Sequence, residues 1–570
     1  MIMRPVNVSV VFSPLYYEED NDSDSSPAKR DIEPTFQPHM LKEFKPPLRT
    51  SIEQQHHVAR EQIIAKQRIG LQAVVKKGLF TTCSTFSCTD VCQKIYGELA
   101  HHWRTHFNIE FEHVNMFVAE INPERMEFLI KQFPETQSAY ADVANLVELK
   151  IRNVRTGCFE SPPRARMMTG SFDFTSKSKA NTNASKNSHC ISEGSDAATA
   201  VSWGACRNAI TKLGPDIICL QNVVELKAGG AEDSDLGVAM KELKDIGYCV
   251  DEMVLEALDY GSHTRKERLA IFGYRTYNLP NLHRLALVKR LVINMQIPRD
   301  ANKNKLDDFL TPEVDDRQVE VPAPQGKYAK KDPEYKLERH EIYESFNIPW
   351  PPADDVMLTG ELLENLREAH ATRRRLEAVY CCHMAFPMPP NVSVQFLDSK
   401  CSLGRMVHME DGPWTDNILP TMIGTSVPVM RVKDDLAMKF RISQIRGFEM
   451  MQFAGWDPSM YKADTRIPSD RVLTQMAGNM WNAFAFAPLL GALISFVDFP
   501  CPFFPDCALD NPQDDVPKDE PFIITDSGNE SDSSSNYSND SHDTDGRSDD
   551  AQGQFTSKLV RLCLRSASKK

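Results

Sequence analysis

Metal-binding and secretory signatures are missing from this chain. Its fourteen cysteines include no Cys-x-x-Cys pair and no Cys/His cluster of zinc spacing, which excludes a zinc module of that kind and leaves no metal site to expect. No basic-then-apolar leader opens the sequence, so a reducing, intracellular setting is expected and disulfides are not. The Asn-x-Ser matches at Asn7, Asn183 and Asn391 are then chance. No internal repeat is visible. The longest apolar run, residues 480–497, is interrupted by Asn482, Pro488 and Gly491, whereas a bilayer span needs about 20 apolar residues; no membrane partner is expected.

A positive charge balance is also lacking, the formal net charge being −14. Residues 511–550, however, hold twelve Asp/Glu against Lys518 and Arg547, so ten of the excess negative charges sit there and only −4 remains elsewhere. A locally basic face for nucleic acid therefore stays open.

What is present is enough apolar content, 41% over 570 residues, for a core and two or three domains. Residues 1–50, with an acidic Ser run at 18–26 and scattered Pro, read as a disordered arm. Residues 51–77 read as one leading helix. From 78 to 290, short apolar runs alternate with helical stretches: strands at 79–82 and 116–120, helices near 90–106, 123–132 and 200–213, strands at 215–220 and 269–275. Such alternation predicts an α/β domain with a largely parallel sheet. The polar stretch 171–199 reads as a functional or disordered loop. Residues 291–440 are mixed-charge and Pro-rich, α/β order returns over 441–497, and 498–570 form an acidic, Ser-rich disordered tail with a basic end.

Several segments carry chemistry. Thr82-Cys83-Ser84-Thr85-Phe86 follows the first strand, where a doubly wound fold bends around a cofactor; it contains no glycine to permit close backbone approach. Glu120, in Val118-Ala119-Glu120-Ile121-Asn122, ends the second strand, where a carboxylate can accept ribose hydroxyls. Asp142 follows in Ala141-Asp142-Val143. Further on stand Thr169-Gly170-Ser171-Phe172-Asp173-Phe174, Leu220-Gln221-Asn222-Val223, the basic cluster Thr264-Arg265-Lys266-Glu267-Arg268, and Ala477-Gly478-Asn479-Met480.

In order and spacing these segments resemble the cytosine-C5 DNA methyltransferases. The resemblance implies a doubly wound, Rossmann-like methyltransferase domain, S-adenosyl-L-methionine as cofactor, and an inserted irregular target-recognition domain at 291–440. Phe80, Ser84, Thr85, Glu120, Ile121, Asp142 and Asn479 take the cofactor-binding positions. Ser171, Gln221, Asn222 and Arg268 take the catalytic ones. It also implies DNA as partner through residues 284–440, with Arg284, Lys289, Arg290 and Arg299 as phosphate contacts, a nuclear location, and regulatory proteins reached through the acidic tail.

The departures fall on the chemistry. Methylation at C5 needs a thiolate to add at C6, and Ser171 stands where the family has that cysteine. Cys158 and Cys190 are the nearest other thiols. Gln221 replaces a glutamate that donates a proton to the base, which an amide cannot do. Lys266 replaces a planar Arg fork. Three functions are therefore expected as alternatives: methyl transfer to cytosine C5 in DNA, a catalytically silent relative that binds DNA or protein as a regulator, or methylation of RNA by the same scaffold.

Overall fold

The computed structural model of the chain describes residues 46–173, 190–191, 198–228, 234–276, 282–310, 344, 379, 382–383, 385–398, 414–421, 428–434, 439–445, 447–456, 468 and 470–499. Two units are formed, Met1–Pro500 and Cys501–Lys570. The second, with the acidic tail, lies outside the described residues, as do residues 1–45 of the arm and most of the polar stretch 171–199.

The strands in chain order are β1 (Phe80–Thr85), β2 (His113–Ala119), β3 (Ser138–Tyr140), a short antiparallel pair β4 (Ile151–Arg152) and β5 (Phe159–Glu160), then β6 (Met167–Ser171), β7 (Ile217–Asn222), β8 (Tyr248–Glu256) and β9 (Glu267–Arg275). Seven of them make one sheet in the order β3-β2-β1-β6-β7-β9-β8. Neighbours are parallel except at β9, which runs antiparallel to β7 and β8. Chain order moves outward from β1 on one side and from β6 on the other. The strand order thus reverses between them, and a doubly wound sheet opens its ligand crevice outside the carboxyl ends at such a point.

The helices are α1 (Pro47–Val58), α2 (Glu61–Lys76), α3 (Val91–His102), α4 (Pro123–Gln132), α5 (Ala198–Leu213), α6 (Asp235–Asp245), α7 (Leu282–Asn294), α8 (Gly447–Phe453), α9 (Asp470–Asn479) and α10 (Ala483–Val497). One apolar core joins α1, α2, α3, α7 and α10 to one face of the sheet, and a second packs α5 and α6 on the other. The single leading helix expected at 51–77 is two helices, broken where Ala59 turns extended (φ −68°, ψ 142°). The break follows from packing: α1 lies against both α3 and α10, and α2 against α10 and α7.

Helix α10 is buried along its whole length, and each fully buried Leu, Ile or Phe in it contributes roughly 1.5–3 kcal/mol. Its Pro488 has no N–H to offer the carbonyl four residues back. That carbonyl, on Phe484, instead accepts from Gln55 Nε2 at 3.1 Å. The helix packs on α1, α2, α3, α7, β7 and β8. Among the described residues no single helix is long and apolar enough to cross a membrane.

Residues 291–440, expected to be irregular, hold an ordered antiparallel sheet: β10 (Val394–Asp398), β11 (Thr415–Asp416), β12 (Pro428–Asp434) and β13 (Lys439–Gln444), in the order β11-β10-β12-β13. Its ordering has a physical centre in Arg431, fully buried. The guanidinium donates to Gln395 Oε1 at 2.7 Å and Phe386 O at 2.9 Å and lies 4.1 Å over the Trp414 ring. The β12–β13 pairing carries this sheet through Gln444.

Candidate active site

The carboxyl ends of β2, β1, β6 and β7 line up at the reversal point. Thr85 pairs with Ala119 on one side and Gly170 on the other, and Ser171 pairs with Gln221. Parallel neighbours lie about 4.8 Å apart, so Ser171 and Gln221 are brought side by side although 50 residues separate them. A Cβ on Gly170 would collide with the Thr85 side chain, which is why a glycine stands there.

Ser171 is half-buried at this edge. Gln221 is fully buried; its Oε1 has no partner and its Nε2 reaches only the Asn222 carbonyl at 3.4 Å. Asn222 is committed: Nδ2 donates to Phe172 O at 3.2 Å and Oδ1 accepts from Val223 N at 2.8 Å. It therefore fixes the ends of β6 and β7 relative to each other. Phe172 is anchored by ring contact with Trp203, centroids 5.0 Å apart.

The turn after β1 takes an unusual path. Phe86, Cys88 and Asp90 all have positive φ, at 50°, 50° and 47°, in the left-handed region that glycine fills without cost. The conformation is thus the one a glycine-bearing turn would adopt, held by residues with side chains. What holds it is Glu120: its Oε2 accepts from the Cys88 N–H at 2.8 Å and its Oε1 from Asn122 N at 3.0 Å. Each carboxylate oxygen keeps a further lone pair. Ser84 turns inward, its hydroxyl 2.6 Å from that of Ser87.

Around this turn buried polar atoms collect without partners: Thr85 Oγ1, Thr89 Oγ1, Asp90 Oδ1 and Gln221 Oε1. Burial pushes the Asp90 carboxyl up to about 7, opposed by hydrogen bonds from Ser84 and Asn115. Described thiols that depart from the usual value do so upward, again through burial: Cys88 to about 11, and Cys83, Cys92 and Cys219 beyond. Cys158 is exposed and Cys190 buried. Among the described residues no three His, Cys, Asp or Glu are disposed to hold a metal ion.

The far wall comes from β9 and α9. Lys266 is fully buried, and its Nζ donates to the carbonyls of Ala477 (2.8 Å), Gly478 (3.3 Å) and Met480 (2.9 Å). It caps the negative end of α9, although burial and the Arg268 charge hold its ammonium well below the usual lysine range. Asn479 closes that helix, and the carbonyl of Met476 lies 3.7 Å from the Cys88 sulfur, so α9 abuts the β1 turn. Arg268 is buried and lowered to about 10 by desolvation, with Glu225 and Glu256 acting against the shift. Beyond Glu120, the exposed Ile121 side chain borders a cavity of about 350 Å³ with Met126, Ile130, Ala141 and Val154. Asp142, next to it, accepts from Ala144 N at 2.9 Å.

Three expectations fail. Phe80 begins β1 rather than ending it; it is fully buried against Phe111 (5.6 Å) at the opposite edge of the sheet, and a strand rising about 3.3 Å per residue carries it far from the crevice. Arg284 is not a phosphate contact but donates to Val497 O at 2.7 Å, capping α10. Lys289 pairs with Asp251 at 2.8 Å. Sequence reading missed Asp90 and Thr89, and met Lys266 only as a replacement for an arginine in the basic cluster. Only Lys266 left a signal, a lysine in a Thr-x-Lys-x-Arg alternation entering a buried strand.

A doubly wound α/β domain carrying a small antiparallel sheet is the class that fold and site define. Residues 193–371, just under a third of the chain, match the family described as C-5 cytosine-specific DNA methylase. No curated protein matches the sequence. Among solved structures, the chain is similar to the Dnmt2 methyltransferase of S. pombe, at 11% identity over 73% of this chain and 98% of that one with a TM-score of 0.37. It is also similar to the Entamoeba histolytica methyltransferase EhMeth, at 12% identity over 73% and 98% with a TM-score of 0.38.

Proposed function

We propose that this protein is a nuclear, DNA-directed cytosine-C5 methyltransferase-fold protein that keeps the cofactor and base crevice but has lost the covalent step, and so acts as a binder and regulator. The observation that carries this is the pairing of Ser171 with Gln221 at the ends of β6 and β7.

The cofactor fits the residues present. S-adenosyl-L-methionine would supply an activated methyl group. Ile121 and Asp142 would hold its adenine beside the apolar cavity, and Glu120 would meet the ribose with its remaining lone pairs. The unpartnered Thr85 and Thr89 hydroxyls would take the amino-acid end. A flipped cytosine would meet the Gln221 amide, which can hydrogen-bond the base edge but cannot protonate it.

Addition at C6 then has no thiolate at the Ser171 position to begin it. A serine hydroxyl needs an adjacent base, and the side chain beside Ser171 is the neutral Gln221. Arg265, exposed at the seam where Thr264 bridges to Leu419 and Thr421 bonds the Arg265 carbonyl, is the phosphate contact that replaces Arg284 and Lys289 in this reading.

The test is a titration of cytosine-containing duplex DNA into the protein with methyl-labelled cofactor, reading binding and label transfer together. Salt-dependent binding without label in the DNA is expected. Label transfer at rates ordinary for an enzyme, or no binding of either ligand, overturns the proposal.

A further inference from the structure

At the far end of α3, about 18 Å down a 12-residue helix from the crevice, lies a cavity of about 460 Å³ between α1, α2 and the loop at Lys303. The α3 helix continues there as a π-helix, Trp103–Phe107, a distortion that is frequent at functional sites. Three imidazoles stack along this wall: His56 and His102 have centroids 4.1 Å apart, and His102 and His106 4.5 Å. His57, Arg68 and Lys303 also line the cavity, and Glu53 is the one carboxylate among the described residues that do.

The stack is chemically unfinished. His102 is 4% exposed, yet neither ring nitrogen has a partner. His56 Nδ1 lies 2.9 Å from the Ile52 carbonyl, which assigns the proton to Nδ1 and leaves Nε2 an unpartnered acceptor. Buried ring nitrogens without partners are costly. The three rings face one another rather than converging on a point, and no metal geometry is formed among the described residues. The cations nearby call for an anion instead. Arg68 is held at the rim with its guanidinium 4.5 Å over the Phe107 ring.

We infer that this cavity is a phosphate-binding site in which His56, His102 and His106, with Arg68 and Lys303, close on a phosphate group, His56 and His102 taking up protons in doing so. An ionised phosphate oxygen is an acceptor, so each imidazole must present an N–H to it; His56 already gives its one neutral N–H to the Ile52 carbonyl, and its Nε2 can donate only once protonated. Without the anion, burial and mutual repulsion keep His56 down at about 4 and His102 at about 2. The groups facing them are His57 and Glu53 on α1, Gln67 and Arg68 on α2, His101 on α3 and Lys303 on the loop; Glu53 is the one anion among them, and the basic groups outnumber it.

Calorimetry on the full chain near pH 6.5, the ordinary histidine value, tests this with inorganic phosphate in two buffers of different ionisation enthalpy. Saturable binding with net proton uptake is expected. The exposed substitutions Arg68→Gln and Lys303→Gln should each weaken it by about tenfold, and His102→Gln should cut the proton uptake. Binding that is unchanged in the Arg68→Gln/Lys303→Gln double variant, or that takes up no proton, overturns the inference. Displacement of phosphate by a short DNA duplex would assign the group to a nucleic-acid backbone; failure to displace it would assign the group to a small phosphorylated molecule.

Discussion

The two edges of the main sheet are built to opposite standards. At the amino-terminal edge, charges are paired: Arg166 donates to Asp216 at 3.1 Å and to Asp498 at 2.8 Å, Lys77 also reaches Asp498, and Arg275 caps the Gly214 carbonyl at 2.9 Å. At the carboxyl edge, Thr85, Thr89, Asp90 and Gln221 bury polar atoms without partners, and the turn beside them holds three side-chain-bearing residues at positive φ. A fold tolerates such costs where a ligand is to meet them. One edge is held by paired charges, and the other buries polar atoms without partners, at some loss of stability.

That contrast can be broken by substitution, since the paired edge should lose stability and the unpartnered edge should gain it. Arg166→Ala removes both ion pairs and the guanidinium over Phe80; denaturant unfolding should show a loss of about 2–3 kcal/mol. Asp90→Asn should act in the other direction. A carboxyl raised to about 7 by burial favours the folded state below its unfolded value near 3.8, and that contribution is lost as pH rises through 7. The variant should therefore gain roughly 1–3 kcal/mol over wild type at pH 8 and little at pH 4, and a gain independent of pH would remove Asp90 burial as its cause.

Gln221→Leu, which deletes an unpartnered amide, should stabilise by about 1 kcal/mol while abolishing any preference for cytosine-containing DNA. Equal stability and unchanged preference would take Gln221 out of the crevice. The smallest effect belongs to Arg265→Ala, which should lower the salt dependence of duplex binding by about one phosphate contact, with thermal stability left as it was.

Much of the framework was legible in the sequence because local rules and packing agree. Helix α4 begins where read, since Asn122 accepts from Arg125 N and Pro123 occupies the first turn, both strong start signals. The strands of the sheet appear as short apolar runs because they are covered on both faces. The site was legible only in part. Glu120, Ser171 and Gln221 could be placed by their strand ends, but Phe80 could not, because an apolar run does not say where along it the strand begins. The left-handed turn at Phe86, Cys88 and Asp90 carries no glycine to announce it, and its support by Glu120 spans 32 residues. Nor does a sequence distinguish a solvated Arg284 or Lys289 from one already tied to a carbonyl or carboxylate.

The central claim is that the carboxyl edge retains the binding crevice without the groups that activate C5. It is tested most directly by methyl transfer from labelled S-adenosylmethionine to mixed-sequence DNA, comparing wild type with Ser171→Cys and Ser171→Cys/Gln221→Glu. The account predicts no measurable transfer by wild type and a gain in the double variant that exceeds the single one, since proton transfer commonly supplies about 10²–10⁴-fold. Robust wild-type transfer that survives Ser171→Ala would contradict it, because the nucleophile would then lie elsewhere in the chain.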